Sequence, residues 1–212
     1  MEIIRLAIVD DHEIFRKGLR VILNEIDELK VVGEAQNGHE LFEILKHHEI
    51  DVILMDIRMP IMDGIEATKK VVEKYPHIKV IALTMFEEIS YFNQMVEAGA
   101  DGFLLKKTNK DELSRAINQV MMDENYFSEE FMSNVNKTQR PKSRLINIEL
   151  TEREQEILEF ICKGMSNAEI SKFLGISART IDGHRAHLLE KTGAKNSPHL
   201  VMFAIKNGLI QA

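Results

Sequence analysis

The sequence predicts an α/β protein in which a doubly wound parallel sheet of five strands is followed by an all-α domain of four helices. Three observations lead to this fold class. The first 122 residues alternate short apolar runs with amphipathic stretches of helical period, and the segment 125–147 loses that periodicity. After Leu150 the period is helical throughout. We therefore expect a first domain at 1–124, a linker at 125–147 and a second domain at 148–212.

Five short apolar runs in the first domain predict its strands. Each run has four or five residues and is mostly continuous rather than alternating, which is typical of parallel strands buried on both faces. Right-handed crossovers between successive βα units give a doubly wound sheet, whose ligands bind at the carboxyl ends of the strands. The runs are Leu6–Val9, Val31–Ala35, Val52–Met55, Val80–Leu83 and Gly102–Leu105.

Capping residues predict the four helices of the second domain. Two capping boxes, Thr151 with Glu154 and Ser166 with Glu169, start the first two helices. Ser177 starts the third, and Ser197 followed by a proline starts the fourth. Glycines stand where each helix should end. The expected helices are 151–163, 167–174, 178–192 and 198–207, with the glycines Gly164, Gly175, Gly193 and Gly208.

Charge is divided unevenly between the two parts of the chain. Residues 1–124 carry 15 Lys and Arg against 24 Asp and Glu, a net charge of −9, whereas residues 125–212 carry 12 against 10, a net charge of +2. The second domain is thus too weakly basic to bind nucleic acid by charge alone. No apolar run is long enough to span a membrane, and a single cysteine, Cys162, fits a reducing cytoplasm.

Acidic residues follow two of the predicted strands at their carboxyl ends. The first strand ends in Asp10 and Asp11, and the third ends in Asp56, while Thr84 and Lys106 end the fourth and fifth. In the strand order 2-1-3-4-5 these ends converge. Three clustered carboxylates repel one another, and Mg²⁺ relieves that repulsion, which leaves one carboxylate able to attack phosphorus. Taken singly, each of these residues could instead cap a turn or stay solvated.

The first domain resembles the receiver domains of two-component response regulators, which have a flavodoxin-like fold. The resemblance covers residues 4 to about 122 and rests on VDDH, DVILMDIRMPIMDG, ALT and AGADGFLLKK. It implies that Asp56 is the phosphoacceptor and that a histidine kinase donates the phosphoryl group. It also implies that Asp11 and Asp56 bind Mg²⁺ directly, together with the backbone carbonyl of Arg58, while Asp10 acts mainly through water.

The same resemblance implies roles for three further residues. Thr84 and Lys106 would hold the phosphoryl group, and Phe103 matches the switch aromatic that turns inward on activation. Plain core packing is the alternative for Phe103. Most receivers have a proline in a cis bond after the lysine, whereas this chain has Lys107, which weakens a claim about cis geometry there but not the assignment of Lys106.

The second domain resembles the LuxR-type helix-turn-helix domain of NarL/FixJ-class response regulators. The match spans Leu150 to about Ile210 and includes LTEREQEILEFICKGMSNAEISKFLGISARTIDGHRAHLLEKTGAKN. The family pattern places Asp182, Gly183 and Ala186 toward DNA bases. Asp182 could accept from a cytosine amino group or could favour the helix N-terminus. Gly183 could let the helix backbone approach DNA closely, or it could be a tolerated substitution without a function.

Other positions of this domain would bind the DNA backbone or a second copy of the chain. Thr180, Arg185 and Lys191 are expected to reach phosphates, with Asn167 at the start of the preceding helix. The fourth helix is expected to form a dimer interface, or alternatively to close the domain core. Its candidate residues are Leu200, Val201, Ala204 and Ile205.

These features together predict a cytoplasmic transcription regulator that is controlled by phosphorylation. Its partners would be a sensor histidine kinase, double-stranded DNA and a second copy of the chain. Mg²⁺ would be the cofactor, and no association with a membrane is expected. One rival is a Mg²⁺-dependent phosphatase, but such enzymes usually carry an acid two residues after the nucleophile, where this chain has Arg58. We therefore expect no external substrate. The other rival is an interaction protein with a degenerate DNA face.

Overall fold

The computed structural model describes residues 3–85, 91–122, 124, 126–127 and 148–210. Six parallel strands form one sheet in the order β2-β1-β3-β4-β5-β6. The predicted order of the first five is confirmed. The strands are β1 (Ile4–Val9), β2 (Leu29–Ala35), β3 (Val52–Asp56), β4 (Lys79–Thr84), β5 (Gly102–Leu105) and β6 (Tyr126–Phe127).

Within the described residues, five helices cover the two faces of this sheet. Successive residues of a strand point to opposite faces, so Ile53 and Leu54 of β3 lie in different apolar clusters. One cluster includes side chains of α1 and α5, and the other includes side chains of α2, α3 and α4. The helices are α1 (Glu13–Asn24), α2 (Gly38–Leu45), α3 (Gly64–Lys74), α4 (Phe92–Ala98) and α5 (Lys110–Met121).

Four further helices make up the C-terminal domain. Both predicted capping boxes are present, because Thr151 and Ser166 each accept from the backbone of a glutamate that bonds back to them. The last helix begins one residue earlier than predicted, with Asn196 rather than Ser197 as its N-cap. The helices are α6 (Glu152–Cys162), α7 (Asn167–Leu174), α8 (Ala178–Thr192) and α9 (Ser197–Lys206).

A sixth strand lies at the start of the predicted linker. Tyr126 and Phe127 pair in parallel with Gly102 and Phe103 of β5, so the chain adds an edge strand at the start of the segment that was expected to be a linker. A run of two apolar residues is too short to show a strand period, which is why the sequence pattern missed it. The remainder of the predicted linker, 128–147, lies outside the described residues.

The two domains pack against each other in this structure. Helix α9 lies against α4, and Met95 and Val96 of α4 belong to the same apolar cluster as Val201 and Met202 of α9. The core of one domain therefore continues into the other through the α4–α9 contact.

Among the residues that the structure describes, none of the helices combines the length and the hydropathy that a membrane span requires.

Candidate functional site

Three strand ends bring a buried acid, a second acid and a lysine together. The Lys106 ammonium, which follows β5, lies 2.9 Å from Asp56 Oδ2 and 2.9 Å from Asp10 Oδ2. Asp10 and Asp56 are almost completely buried, with exposures of 0% and 2%. The parallel register explains the convergence, because β1, β3 and β4 are neighbours and β5 follows. The acidic pocket predicted from the strand ends is thus present.

Asp11 and His12 complete the open side of this pocket. Asp11 is exposed, and its Oδ1 lies 2.9 Å from His12 Nδ1. The backbone N–H of His12 donates to Asp10 Oδ1 at 2.9 Å, which fixes the Asp10 carboxylate from the other side. His12 was not predicted as part of the site. Its only sequence signal is its position directly after the two aspartates.

The loop after β3 holds Asp56 in place through a glycine. The Gly64 N–H donates to the carbonyl of Ile57 at 2.9 Å, and Asp63 caps α3. A Cβ atom at position 64 would lie 2.0 Å from the carbonyl oxygen of Asp56, so only glycine fits. The Ile57 N–H donates to Asp56 Oδ1 at 2.8 Å. Backbone geometry on both sides of Asp56 therefore sets the direction of its carboxylate.

Burial and neighbouring charges shift the pKa values of the central pair. Burial raises the pKa of Asp56 to about 6; the contact with Lys106 lowers it, and the charge of Asp10 raises it. Burial opposes the charge of Lys106, but its contacts with Asp10 and Asp56 outweigh this, so its pKa is raised. Because a pKa near 6 lies below neutral pH, Asp56 is mostly a carboxylate there, the form that can attack phosphorus.

The donor atoms of the pocket suit a hard divalent cation. One ligand atom from each of Asp10, Asp11, His12 and Asp56 lies within 4.8 Å of the others. Among the described residues, the Lys106 ammonium contacts Asp10 and Asp56, and the Arg16 guanidinium donates to the Asp10 carbonyl at 2.6 Å, so the three carboxylates still outnumber the cations beside them. Mg²⁺ prefers oxygen ligands and is usually held by one or two carboxylates plus waters. The residues present therefore fit Mg²⁺.

A buried polar network joins three helices of the C-terminal domain. The Arg185 guanidinium of α8 donates from Nη1 to Asn167 Oδ1 of α7 at 2.8 Å and from Nε to Ser197 Oγ of α9 at 2.8 Å. Asn167 Nδ2 in turn donates to Asp182 Oδ1. Asn167 and Arg185 are only 4% and 7% exposed. This network fixes α8 relative to α7 in a helix-turn-helix arrangement.

Comparison with known proteins identifies both parts of the chain. Residues 6–118 match the response regulator receiver domain, and residues 149–204 match the bacterial regulatory proteins of the luxR family. The chain is a response regulator of the NarL/FixJ class. It is 35% identical to the oxygen regulatory protein NreC of Staphylococcus aureus (strain MRSA252), over 98% of this chain and 99% of that protein.

Solved structures of other response regulators resemble this one over nearly its full length. The response regulator ChrA of a heme-sensing two-component system is 30% identical, with a TM-score of 0.56 over 99% of this chain and 100% of that one. The response regulator RcsB in complex with DNA is 25% identical, with a TM-score of 0.60 over 97% and 99%. This response regulator is accordingly a phosphorylation-controlled transcription regulator.

The remaining predicted receiver residues lie on the strands and loops next to the pocket. The structure differs from expectation only in the position of Phe103. Thr84 ends β4 and is 1% exposed, with its hydroxyl donating to the Met85 carbonyl at 3.0 Å; Arg58 lies exposed in the loop after Asp56. Phe103 is fully buried, edge-on to Phe92 and stacked on Phe127 at 5.7 Å. An inward turn of Phe103 needs an exposed starting position, which this structure does not show.

The predicted phosphate contacts of this response regulator need a correction. Arg185 and the side chain of Asn167 are buried in the network that joins α7, α8 and α9, so in this conformation neither side chain reaches outward to a phosphate. A helical face that sequence spacing predicts to be exposed can still be covered by a later helix. Here α9 covers Arg185 through Ser197. Thr180 and Lys191 are exposed, and Lys191 pairs with Glu154 at 2.6 Å.

The predicted base-facing positions are open. Asp182, Gly183 and Ala186 are all exposed on α8, and nothing lies within 4 Å of a Cβ built on Gly183. The hydrogen bond from Asn167 ties down one oxygen of Asp182, which supports the alternative that Asp182 has a structural role. Packing among the described residues gives no reason for a glycine at position 183.

The predicted dimer residues are covered in this structure. All four candidates on α9 are nearly or completely buried, because α9 packs on α6, α8 and α4. They therefore close the core of the chain in this conformation, which was the alternative left open by their sequence pattern. Leu200, Val201 and Ala204 are 0% exposed, and Ile205 is 6% exposed.

Proposed function

We propose that Asp56 accepts a phosphoryl group from a sensor histidine kinase and that this modification controls the binding of a dimer to double-stranded DNA. The observation that carries the proposal is the position of Lys106, whose ammonium lies 2.9 Å from both Asp10 and Asp56. A cation held beside a nucleophilic carboxylate stabilises a phosphoryl group during transfer, since the charge of that group spreads over three oxygens.

We further propose that the protein acts in the cytoplasm, because that is where a regulator meets chromosomal DNA.

The proposed transfer uses groups that the pocket already orients. A carboxylate oxygen of Asp56 forms the new bond to phosphorus, and the bond to the kinase histidine breaks, with its electron pair left on nitrogen. Lys106 compensates the negative charge of the phosphoryl oxygens, and the Thr84 hydroxyl would turn from the Met85 carbonyl to donate to one of them. Asp11 and Asp56 would hold Mg²⁺ with the backbone carbonyl of Arg58 and with Asp10 acting through water. Bound Mg²⁺ would neutralise phosphoryl charge.

An external phosphatase activity is the less favoured alternative. Such activity needs an acid to protonate a leaving group, and position 58 beside the pocket holds an arginine. We therefore propose that the chain takes up and loses only its own phosphoryl group.

The proposed DNA contact uses helix α8. In helix-turn-helix proteins the second helix enters the major groove, and the exposed positions of α8 include Thr180, Asp182, Gly183 and Ala186. A charge of only +2 over residues 125–212 gives weak nonspecific attraction, so we propose that two copies bind together on a two-fold site. Dimerisation through α9 would require that helix to leave α4.

A selection on random double-stranded DNA tests this function. We expect the full chain to enrich a two-fold sequence when acetyl phosphate and Mg²⁺ are both present. Enrichment should fall to background when EDTA replaces Mg²⁺, because Asp10, Asp11 and Asp56 then lack the cation that offsets their charge. Equal enrichment with EDTA would contradict the proposed role of the metal, and no enrichment under any condition would contradict DNA binding.

Replacing Gly183 by alanine tests whether the α8 backbone approaches DNA. The variant should gain on the order of 1 kcal/mol in free energy of unfolding, because alanine favours a helix interior and nothing obstructs its Cβ. Affinity for the selected DNA should fall about tenfold, which corresponds to about 1.4 kcal/mol. Denaturant unfolding and fluorescence anisotropy measure the two effects. Unchanged DNA affinity would show that this glycine has no part in recognition.

A further inference from the structure

A carboxylate of the receiver domain lies at the N-terminus of helix α7 in the DNA-binding domain. Glu124 Oε2 accepts a hydrogen bond from the backbone N–H of Asn167, the first residue of α7, at 3.2 Å. The two residues are 43 positions apart and belong to different domains. Glu124 follows α5 and is held there by its own N–H, which donates to the Gln119 carbonyl at 3.1 Å. The contact thus joins the end of α5 directly to the start of α7.

The surroundings of Glu124 explain why an anion is held at this position. The hydrogen bond from Asn167 and the charge of Arg185, itself 7% exposed, both favour the ionised form of Glu124. Burial has the larger effect and raises the pKa of Glu124, and Asp182 and Glu169 act in the same direction. The amide of Asn167 and the guanidinium of Arg185 therefore form a small positive site that Glu124 fills at some electrostatic cost.

The same amide is where a helix-turn-helix domain can meet the DNA backbone. Backbone N–H groups at helix N-termini are common donors to phosphate oxygens. One N–H cannot donate fully to two anions, so a phosphate can take this place only after Glu124 leaves. A carboxylate left beside the DNA backbone would also repel it.

Two further contacts hold the receiver domain close to this site. Helix α9 packs on α4, and the backbone around Phe127 approaches α6 so closely that a Cβ on Gly164 would lie 2.5 Å from the Phe127 carbonyl oxygen. Phe127 in turn stacks on Phe103 of β5, the residue that matches the switch aromatic. A chain of packed residues therefore runs from the sheet of the receiver to the start of α7.

We propose that Glu124 stands in for a DNA phosphate at the N-terminus of α7, so that the receiver domain and the DNA backbone compete for the amide of Asn167. The inference rests on the proposed function, since it concerns how DNA binding is held off before phosphorylation. Residue 124 is thereby a regulatory residue outside both the acidic pocket and the recognition helix.

The Glu124→Gln variant tests the competition. Glutamine keeps the size of the side chain but loses the charge, so its hold on the Asn167 amide weakens and the repulsion of phosphate disappears. A fluorescein-labelled duplex of mixed sequence serves as the probe, at one fixed salt concentration, with the full chain and no phosphodonor. We expect the variant to bind about five- to tenfold more tightly than the wild type. With acetyl phosphate and Mg²⁺ the two proteins should bind equally.

The matched control is Glu73→Gln, which removes one negative charge from an exposed position on α3. It should leave affinity within error of wild type, which separates a local effect from net charge. Equal affinity of Glu124→Gln and wild type without phosphodonor would overturn the inference, while a phosphodonor response in the wild type would leave the proposed function intact. If no protein binds under any condition, both fail. Amide exchange at Asn167, which should quicken on phosphorylation, gives a readout that needs no variant; unchanged exchange overturns the proposal.

Discussion

An Asp56→Asn variant is expected to incorporate no phosphoryl group from acetyl phosphate above the background of the assay. The amide cannot act as the nucleophile, and at the end of β3 this side chain is a buried acid 2.9 Å from the Lys106 ammonium. The variant should keep the fold, because replacing a buried carboxylate by an amide of the same size removes repulsion with Asp10. Incorporation of labelled phosphate measures the first effect and thermal unfolding measures the second.

A matched substitution shows whether the loss is local to the pocket. Asp111→Asn removes the same charge from an exposed position in the first turn of α5 and should label like the wild type. Labelling of Asp56→Asn at the wild-type level would refute the assignment of the phosphoacceptor. The DNA-binding response to acetyl phosphate should be lost together with the labelling.

A Gly64→Ala variant should be destabilised by about 3 kcal/mol, at the upper end of what overpacking usually costs. The new Cβ would lie 2.0 Å from the carbonyl oxygen of Asp56 and 3.0 Å from the Cα of Ile57, and both neighbours are backbone atoms that cannot turn aside. Relief of the clash must move the loop that follows β3. We therefore expect labelling to fall along with the free energy of unfolding, measured by urea denaturation.

The control for this variant is Gly18→Ala in α1. Nothing lies within 4 Å of a Cβ at position 18, so alanine there should stabilise the chain by about 1 kcal/mol through its helix propensity. If Gly64→Ala matched Gly18→Ala in stability and labelling, the proposed support of Asp56 by the close approach of Gly64 would be wrong.

Local patterns in the sequence predicted most of the fold. The parallel strands are buried on both faces and therefore appear as continuous apolar runs, and capping boxes mark helix starts because they satisfy free backbone N–H groups. Asp10, Asp56 and Lys106 could be placed together because parallel strands bring their carboxyl ends to one edge. Such arguments need only the order of the strands.

Features that depend on contacts between distant segments could not be predicted in this way. Arg185 has the spacing of an exposed residue on α8, yet Ser197 of α9 covers it. The two-residue strand β6 forms only because β5 offers it an edge. Glu124 looks like an ordinary solvated acid at the end of α5, and only the packing of two domains brings it to Asn167.

The assignment of Asp56 is tested most directly by locating the phosphoryl group on the wild-type chain. Full-length protein incubated with acetyl phosphate and Mg²⁺ is trapped with hydride, digested and mapped by tandem mass spectrometry. We expect a single modified residue, Asp56. Modification of Asp10, Asp11 or a residue outside the pocket, with Asp56 unmodified, would contradict it.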